Sequence, residues 1–142
     1  MKLYIGCSLT HATEDFRKEV DALKNNLRLD YEILDFFSSI DDNGSLIQPV
    51  SSSDEDVYMW DIHACVKNCD VFIAIVDQPS IGLGYELGTA IEKLSKPTLA
   101  LAHKDTRVTR LVLGINHPNY KLARYTSITE IPSLIKQFIE SR

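Results

Sequence analysis

The sequence predicts an α/β fold: a five-stranded parallel sheet with helices on both faces, three layers of the flavodoxin-like (Rossmann-like) class. Two observations carry this. Strand-like apolar runs alternate with segments of helical periodicity along the whole chain, and strands alternating with helices build a parallel sheet covered on both sides. The run Val71-Phe72-Ile73-Ala74-Ile75-Val76 is apolar at every position, which suits a strand buried on both faces in the middle of such a sheet.

The elements follow in order. Leu3 to Gly6 reads as the first strand, and Cys7 to Thr13 is a hydroxyl-rich loop. Phe16, Val20, Leu23 and Leu27 mark the buried face of a first helix, with Thr13 or Thr10 as its cap. Tyr31 to Phe37 reads as the second strand. Ser38 to Ser51 is a long polar connection with the turn signal Asp41-Asp42-Asn43-Gly44, a length often used for a lid or binding loop. Ser52 and Glu55 fit a capping box opening the second helix, whose core stripe is Tyr58, Ile62, Cys65, Val66 and Cys69. The central strand comes next. Leu87, Ala90, Ile91 and Leu94 then recur on one helical face. Thr98 to Ala102 is a fourth strand, Thr106 to Gly114 a short helix, and Tyr120 to Tyr125 a fifth strand. Thr129 can cap a last helix with Ile131, Leu134, Ile135, Phe138 and Ile139 on its apolar face. The expected strand order is 2-1-3-4-5, with the ligand crevice between the ends of strands one and three.

The 142 residues suit one domain, 1–142, with no repeat or linker. A formal net charge of −5 speaks against nucleic-acid polymers and membrane surfaces as partners. The amino terminus reads as a strand and not as a signal peptide, and no apolar run has membrane-spanning length. Cys7, Cys65 and Cys69 are an odd set without a CxxC, so reduced thiols in a cytoplasmic protein are expected. The four histidines lack metal-ligand spacing, and neither a metal nor a cofactor is expected.

Chemistry concentrates in Asp70 to Gly88, DVFIAIVDQPSIGLGYELG. Pro79 ends the central strand because it offers no N–H. Gly82 and Gly84 follow as a turn, and a helix begins with Glu86 in its first turn. There the dipole favours a charged carboxylate at the mouth of the sheet, as a nucleophile requires. The glycines would let a substrate approach the backbone. A plainer reading has Glu86 complement the dipole and the glycines make a turn. The spacing of Gly82, Gly84 and Gly88 is not that of a dinucleotide fingerprint.

The stretch from Gln78 to Gly88, QPSIGLGYELG, closely resembles the signature of the nucleoside 2-deoxyribosyltransferases, in particular their branch of 2′-deoxynucleoside 5′-monophosphate N-hydrolases. Tyr4-Ile5-Gly6-Cys7-Ser8-Leu9, Asp61, and the stretch from Val108-Thr109 to Gly114 extend the resemblance over most of the chain. The resemblance implies that Glu86 attacks the anomeric carbon of a deoxyribose and forms a glycosyl-enzyme, resolved by water or a second base. It implies that Asp61 positions the sugar or assists proton transfer, and that Tyr4 lies near the nucleophile. Ser8, Thr10, Ser80, Gly82 and Gly84 would line the substrate and its 5′-phosphate, with Asn116 a looser match. Thr109 matches a serine that reaches the phosphate from a neighbouring subunit, so a homodimer or higher homo-oligomer is implied.

Three departures stand out. Cys7 replaces a glycine, and Thr10 replaces an arginine that would meet a phosphate. One extra residue separates Asp61 from Asp70, so strict register puts Ile62 at the acid's place, and a helical residue turns a side chain by about 100°. Asp61 serves only if the helix absorbs that residue; otherwise it is a solvated acid. Tyr4 also reads as a core residue, Ser8 and Thr10 as caps, and Ser80 as a turn former. Alternatives of other classes are a catalytically inactive nucleotide-binding module of the same fold and a flavin-binding electron carrier. The first would bind nucleotide without releasing base, and the second would bind flavin.

Overall fold

The computed structural model describes residues 1–8, 12–35, 39–40, 46–47 and 53–142, giving the backbone alone at 39–40 and 46–47. Its main sheet is built from β1 (Lys2–Cys7), β2 (Glu32–Leu34), β5 (Val71–Ile75), β6 (Thr98–His103) and β7 (Tyr120–Tyr125). Neighbouring strands are all parallel, in the order β2-β1-β5-β6-β7. Counting these five along the chain gives the expected 2-1-3-4-5. Two short strands, β3 (Ser39–Ile40) and β4 (Leu46–Ile47), pair antiparallel inside the long polar connection. The sequence reading had no strands there, and the rest of residues 36–52 lies outside the described residues.

The period-two rule of a strand sorts the core into two layers. Leu3, Ile5, Val71, Ile73 and Ile75 face α1 (Glu14–Leu27) and α5 (Ile131–Glu140). Tyr4, Phe72 and Ala74 face the opposite layer. That layer holds α2 (Asp54–Tyr58), the π-helical Met59–Val66 that continues it, and α3 (Ile81–Gly88) with its own π-helical continuation, Thr89–Lys93. All five residues of β5 are buried, as a continuous apolar run requires. Fully burying a side chain such as Phe72 or Ile73 contributes about 1.5–3 kcal/mol each, so the strand that leads to the site is firmly anchored.

Several local expectations need correction. Thr13 caps α1, its Oγ1 accepting from Phe16 N at 3.2 Å; Thr10 lies outside the described residues. The capping box of α2 is Ser53 with Asp56 and not Ser52 with Glu55, because Ser53 exchanges both bonds with Asp56. Tyr58 is exposed and leaves the core stripe to Ile62, Cys65, Val66 and Cys69. The second strand stops at Leu34, and Phe36 and Phe37 lie outside the described residues. The helix after β6 is only α4 (Arg110–Leu113). Ser127, rather than Thr129, starts the last helical segment, capping the 3-10 turn Ile128–Glu130 that leads into α5. The three thiols are free, with Cys65 and Cys69 buried. No described helix is long and apolar enough to cross a membrane.

Candidate active site

Parallel register sets Tyr4 of β1 beside Phe72 of β5, and their rings stack with centroids 5.4 Å apart. The hydroxyl at the far end of Tyr4 donates to Glu86 Oε1 at 3.4 Å. The same hydroxyl favours the charged form of the Asp61 carboxyl. One phenol thus acts on two acids from two different helices. Burial and the negative charges of Glu86 and Asp61 push the Tyr4 hydroxyl well above its usual range, so it stays protonated and donates.

Glu86 corrects two expectations. Helix α3 begins at Ile81, with Ser80 as its cap, so Gly82 and Gly84 lie inside the helix and Glu86 in its second turn. A helix dipole fades within the first turn and does not hold this carboxylate charged. Burial, and then the charge of Asp61, push Glu86 up to about 8, while the Tyr4 hydrogen bond and Lys24 pull it back. Asp61 is raised as well, chiefly by burial. Two acids in one desolvated place cannot both ionise freely, so they titrate as a pair that keeps one proton between them to about pH 8.

The extra residue before Asp61 is absorbed within its own helix. From Met59 to Val66 the helix is π-type, and Lys67 N bonds Ile62 O at 2.9 Å, five residues back. A π turn accommodates one additional residue without disturbing the helix on either side. Ile62 accordingly enters the core, and Asp61 is half-buried beside Tyr4.

The glycine that close approach demands is Gly6, in β1. A Cβ there would lie 2.8 Å from Glu86 Oε2, 2.9 Å from Leu83 Cδ1 and 3.0 Å from the Phe72 ring. Glu86 therefore rests directly on the backbone of β1. Its alternation with Tyr4, two residues apart on one strand face, was the signal available.

Ser8, just past β1, is 2% exposed, and its Oγ is the one buried side-chain oxygen without a partner among the described residues. Ser80 Oγ is used as the cap of α3, accepting from Leu83 N at 3.2 Å. Gly82 and Gly84 are exposed, with open space around Gly84. Thr109 and Asn116 are on the surface, and neither figures among the polar neighbours of Glu86. The cluster thus joins Tyr4, Asp61 and Glu86, with Gly6 beneath.

A separate cleft of about 460 Å³ opens at the ends of β5, β6 and β7, on the α1 side of the sheet. Its carboxylate, Asp77, already accepts from His103 N at 2.6 Å, from Thr106 Oγ1 at 3.0 Å and from the Tyr125 hydroxyl. Asp77 therefore ties strand ends together. Among the described residues no three His, Cys, Asp or Glu side chains converge as a metal site would need.

The geometry can be set beside known proteins. The chain is 34% identical over 83 residues to a Syntrophotalea carbinolica protein named "Putative 2′-deoxynucleoside 5′-phosphate N-hydrolase 1", a match covering 58% of this chain and 57% of that one. It is 28% identical over 100 residues to the 5-hydroxymethyl-dUMP N-hydrolase of Branchiostoma floridae, covering 69% of this chain and 94% of that one. The chain is a homologue of proteins named as deoxynucleotide N-hydrolases. The resemblance read from QPSIGLGYELG therefore holds. The match spans little more than half of the Syntrophotalea protein's length. No family model matches the chain. A solved structure, the CMP N-glycosidase of Clostridium botulinum, superposes with a TM-score of 0.68 over 96% of this chain and 99% of that one. At 19% identity that likeness speaks for the fold.

Proposed function

We propose that the chain cleaves the N-glycosidic bond of 2′-deoxynucleosides or their 5′-monophosphates, with Glu86 as the nucleophile. The observation that carries the reading is the pair of interacting acids, Glu86 and Asp61, with the Tyr4 hydroxyl bonded to Glu86 over Gly6. In the reactive arrangement the shared proton is on Asp61 and Glu86 is charged. Glu86 attacks the anomeric carbon, the bond to the base breaks, and the leaving nitrogen takes the Asp61 proton. A glycosyl ester on Glu86 results. Water, giving its proton to Asp61, then attacks the same carbon and frees the sugar; a second base in its place gives transfer. General acid–base help of this kind contributes typically about 10²–10⁴-fold.

Ser8 supports an acceptor-rich substrate group near β1. A buried hydroxyl without a partner costs about 1–3 kcal/mol, and a phosphate or sugar oxygen would satisfy it. Thr10, Ser80, Gly82, Gly84 and Asn116 stay assigned to the substrate by the family resemblance. Thr109 is exposed at the start of α4 and makes no side-chain capping bond, which suits a contact made to a second copy's site. Ile81, Tyr85, Leu111 and Leu113 are exposed apolar side chains on α3 and α4, consistent with a homodimer.

A panel of deoxynucleosides and their 5′-monophosphates, with and without a free acceptor base, tests the reading by product chromatography. The expected result is free base, abolished in Glu86→Ala. Tight nucleotide binding without base release would identify an inactive binding module. Full turnover in Glu86→Ala would refute the nucleophile.

A further inference from the structure

The π turn that carries Asp61 is held from outside by the residue next to it. Trp60 is 40% exposed, so core burial does not explain where its ring lies. Its indole Nε1 donates to the backbone carbonyl of Asp35 at 2.7 Å, across 25 residues of chain. Asp35 directly follows β2, and the last residue of β2, Leu34, is the register partner of Tyr4. The tie therefore ends at the residue just past the strand beside the one that supplies the Tyr4 hydroxyl.

Asp35 is itself anchored. Its carboxylate meets Lys24 Nζ of α1 at 3.1 Å and Arg28, the residue that caps the end of α1, at 2.9 Å, and the Lys24–Asp35 pair is buried. Breaking such a pair by removing one partner is strongly destabilising, so the carbonyl that receives the indole is a fixed point. A π turn is a rare geometry, and reverting to α spacing would turn Asp61 by about 100°. Something outside the helix has to favour the wide turn at this place.

We propose that Trp60 is a positioning residue for Asp61: its indole N–H, bonded to the Asp35 carbonyl, fixes the wide helical turn that aims the neighbouring carboxyl at Tyr4 and Glu86. The proposal deepens the function proposed above and rests on that reading for its kinetic consequence. Its structural consequence is independent of turnover, because Asp61 is one of the charges that set the ionisation of Glu86. The groups that face Glu86 are Tyr4 and Cys7 from β1, Asp61 and Cys65 from the π turn, and Lys24 from α1. Of these, Asp61 is the one that Trp60 holds in place.

The test follows the Glu86 carboxyl carbon by NMR against pH in four proteins: the native chain, Trp60→Phe, Asp61→Asn and the double variant. Asp61→Asn lowers the Glu86 midpoint by removing a neighbouring negative charge. Trp60→Phe is expected to lower it in the native background and to add nothing in the Asp61→Asn background. In turnover, Trp60→Phe is expected to cut kcat about tenfold, the scale of a small misplacement, with KM nearly unchanged. Benzothienylalanine at position 60, which replaces the indole N–H by sulfur and keeps the shape, should reproduce both effects even if Trp60→Phe folds poorly. An unmoved Glu86 midpoint in Trp60→Phe, or an equal shift in both backgrounds, overturns the proposal. A native chain that releases no base overturns the reading of function instead, and the titration still decides the role of Trp60.

Discussion

The Tyr4 hydroxyl lies 3.4 Å from Glu86 Oε1, although 82 residues separate the two along the chain. The bond exists because β1 and β5 are adjacent and parallel, so the strand that begins the chain runs beneath the helix that follows β5. Burial and the neighbouring negative charges keep the Tyr4 hydroxyl protonated, so it remains a donor.

Removing that donor has a predictable sign. The Tyr4 hydroxyl favours the charged forms of Glu86 and of Asp61, pulling both pKa values down. Tyr4→Phe therefore makes both carboxyls harder to ionise, and the basic limb of a pH–rate profile, expected near 8 in the native chain, moves upward. A hydrogen bond to a charged group contributes about 1.5–3 kcal/mol, so kcat at neutral pH should fall roughly 10–100-fold. Initial rates across pH, in both proteins, check it.

Glu86 also makes the fold pH-dependent. Its pKa is raised from 4.5 to about 8 in the folded chain, so the folded state binds this proton more tightly than the unfolded state does. That stability is fully present below the unfolded pKa and is lost as pH rises through about 8. Glu86→Gln cannot ionise and keeps it. The variant should melt with the native chain near pH 5 and above it near pH 9. The gap corresponds to about 1–3 kcal/mol after allowance for partial exposure, or several degrees in Tm at this chain length. Thermal melts at the two pH values measure it; equal differences at both would mean that Glu86 is not desolvated.

Gly6→Ala probes the contact beneath Glu86. The new methyl carbon would meet Glu86 Oε2, Leu83 Cδ1 and the Phe72 ring at 2.8–3.0 Å. The stacked Phe72 ring has no room to retreat, being fully buried, so the Glu86 carboxylate gives way. Overpacking of this sort costs about 1–3 kcal/mol. Because the displaced atom belongs to the proposed nucleophile, activity should fall by more than the loss of folded protein accounts for. Turnover normalised to the folded fraction separates the two.

The parts of this arrangement that composition and period encode were legible in the sequence. The run at 71–76 and the alternation of strand and helix pointed to a parallel sheet with this strand at its centre, because a strand apolar at every position needs cover on both faces. The helix start at Ile81 was misplaced because Gly82 and Gly84 read as a turn, while the Ser80 cap had already satisfied Leu83 N. The capping box was shifted by one residue because Ser52 and Ser53 offer the same hydroxyl. The π turn left no mark in residue types: it is a spacing anomaly, visible only as the extra residue between Asp61 and Asp70. Lys24 left a signal that went unused, since it stands with Val20, Leu23 and Leu27 on the buried face of α1. A lysine on such a stripe calls for an acid, and Asp35 supplies it.

If Thr109 acts on a second copy's site, two inactive variants should rescue each other. Glu86→Gln removes the nucleophile of its own site. Thr109→Trp, on the exposed start of α4, blocks only the site of the copy it faces. In a mixed C2 dimer each site draws Glu86 from one chain and Thr109 from the other. One of the two sites then receives both defects and the other receives neither. Random exchange makes half the dimers mixed, so about a quarter of the native activity should return on mixing two nearly inactive proteins. Were Thr109 to serve the site of its own chain, every site in the mixture would carry one defect, and mixing would restore nothing. Rates measured before and after subunit exchange, at equal total protein, distinguish the two arrangements.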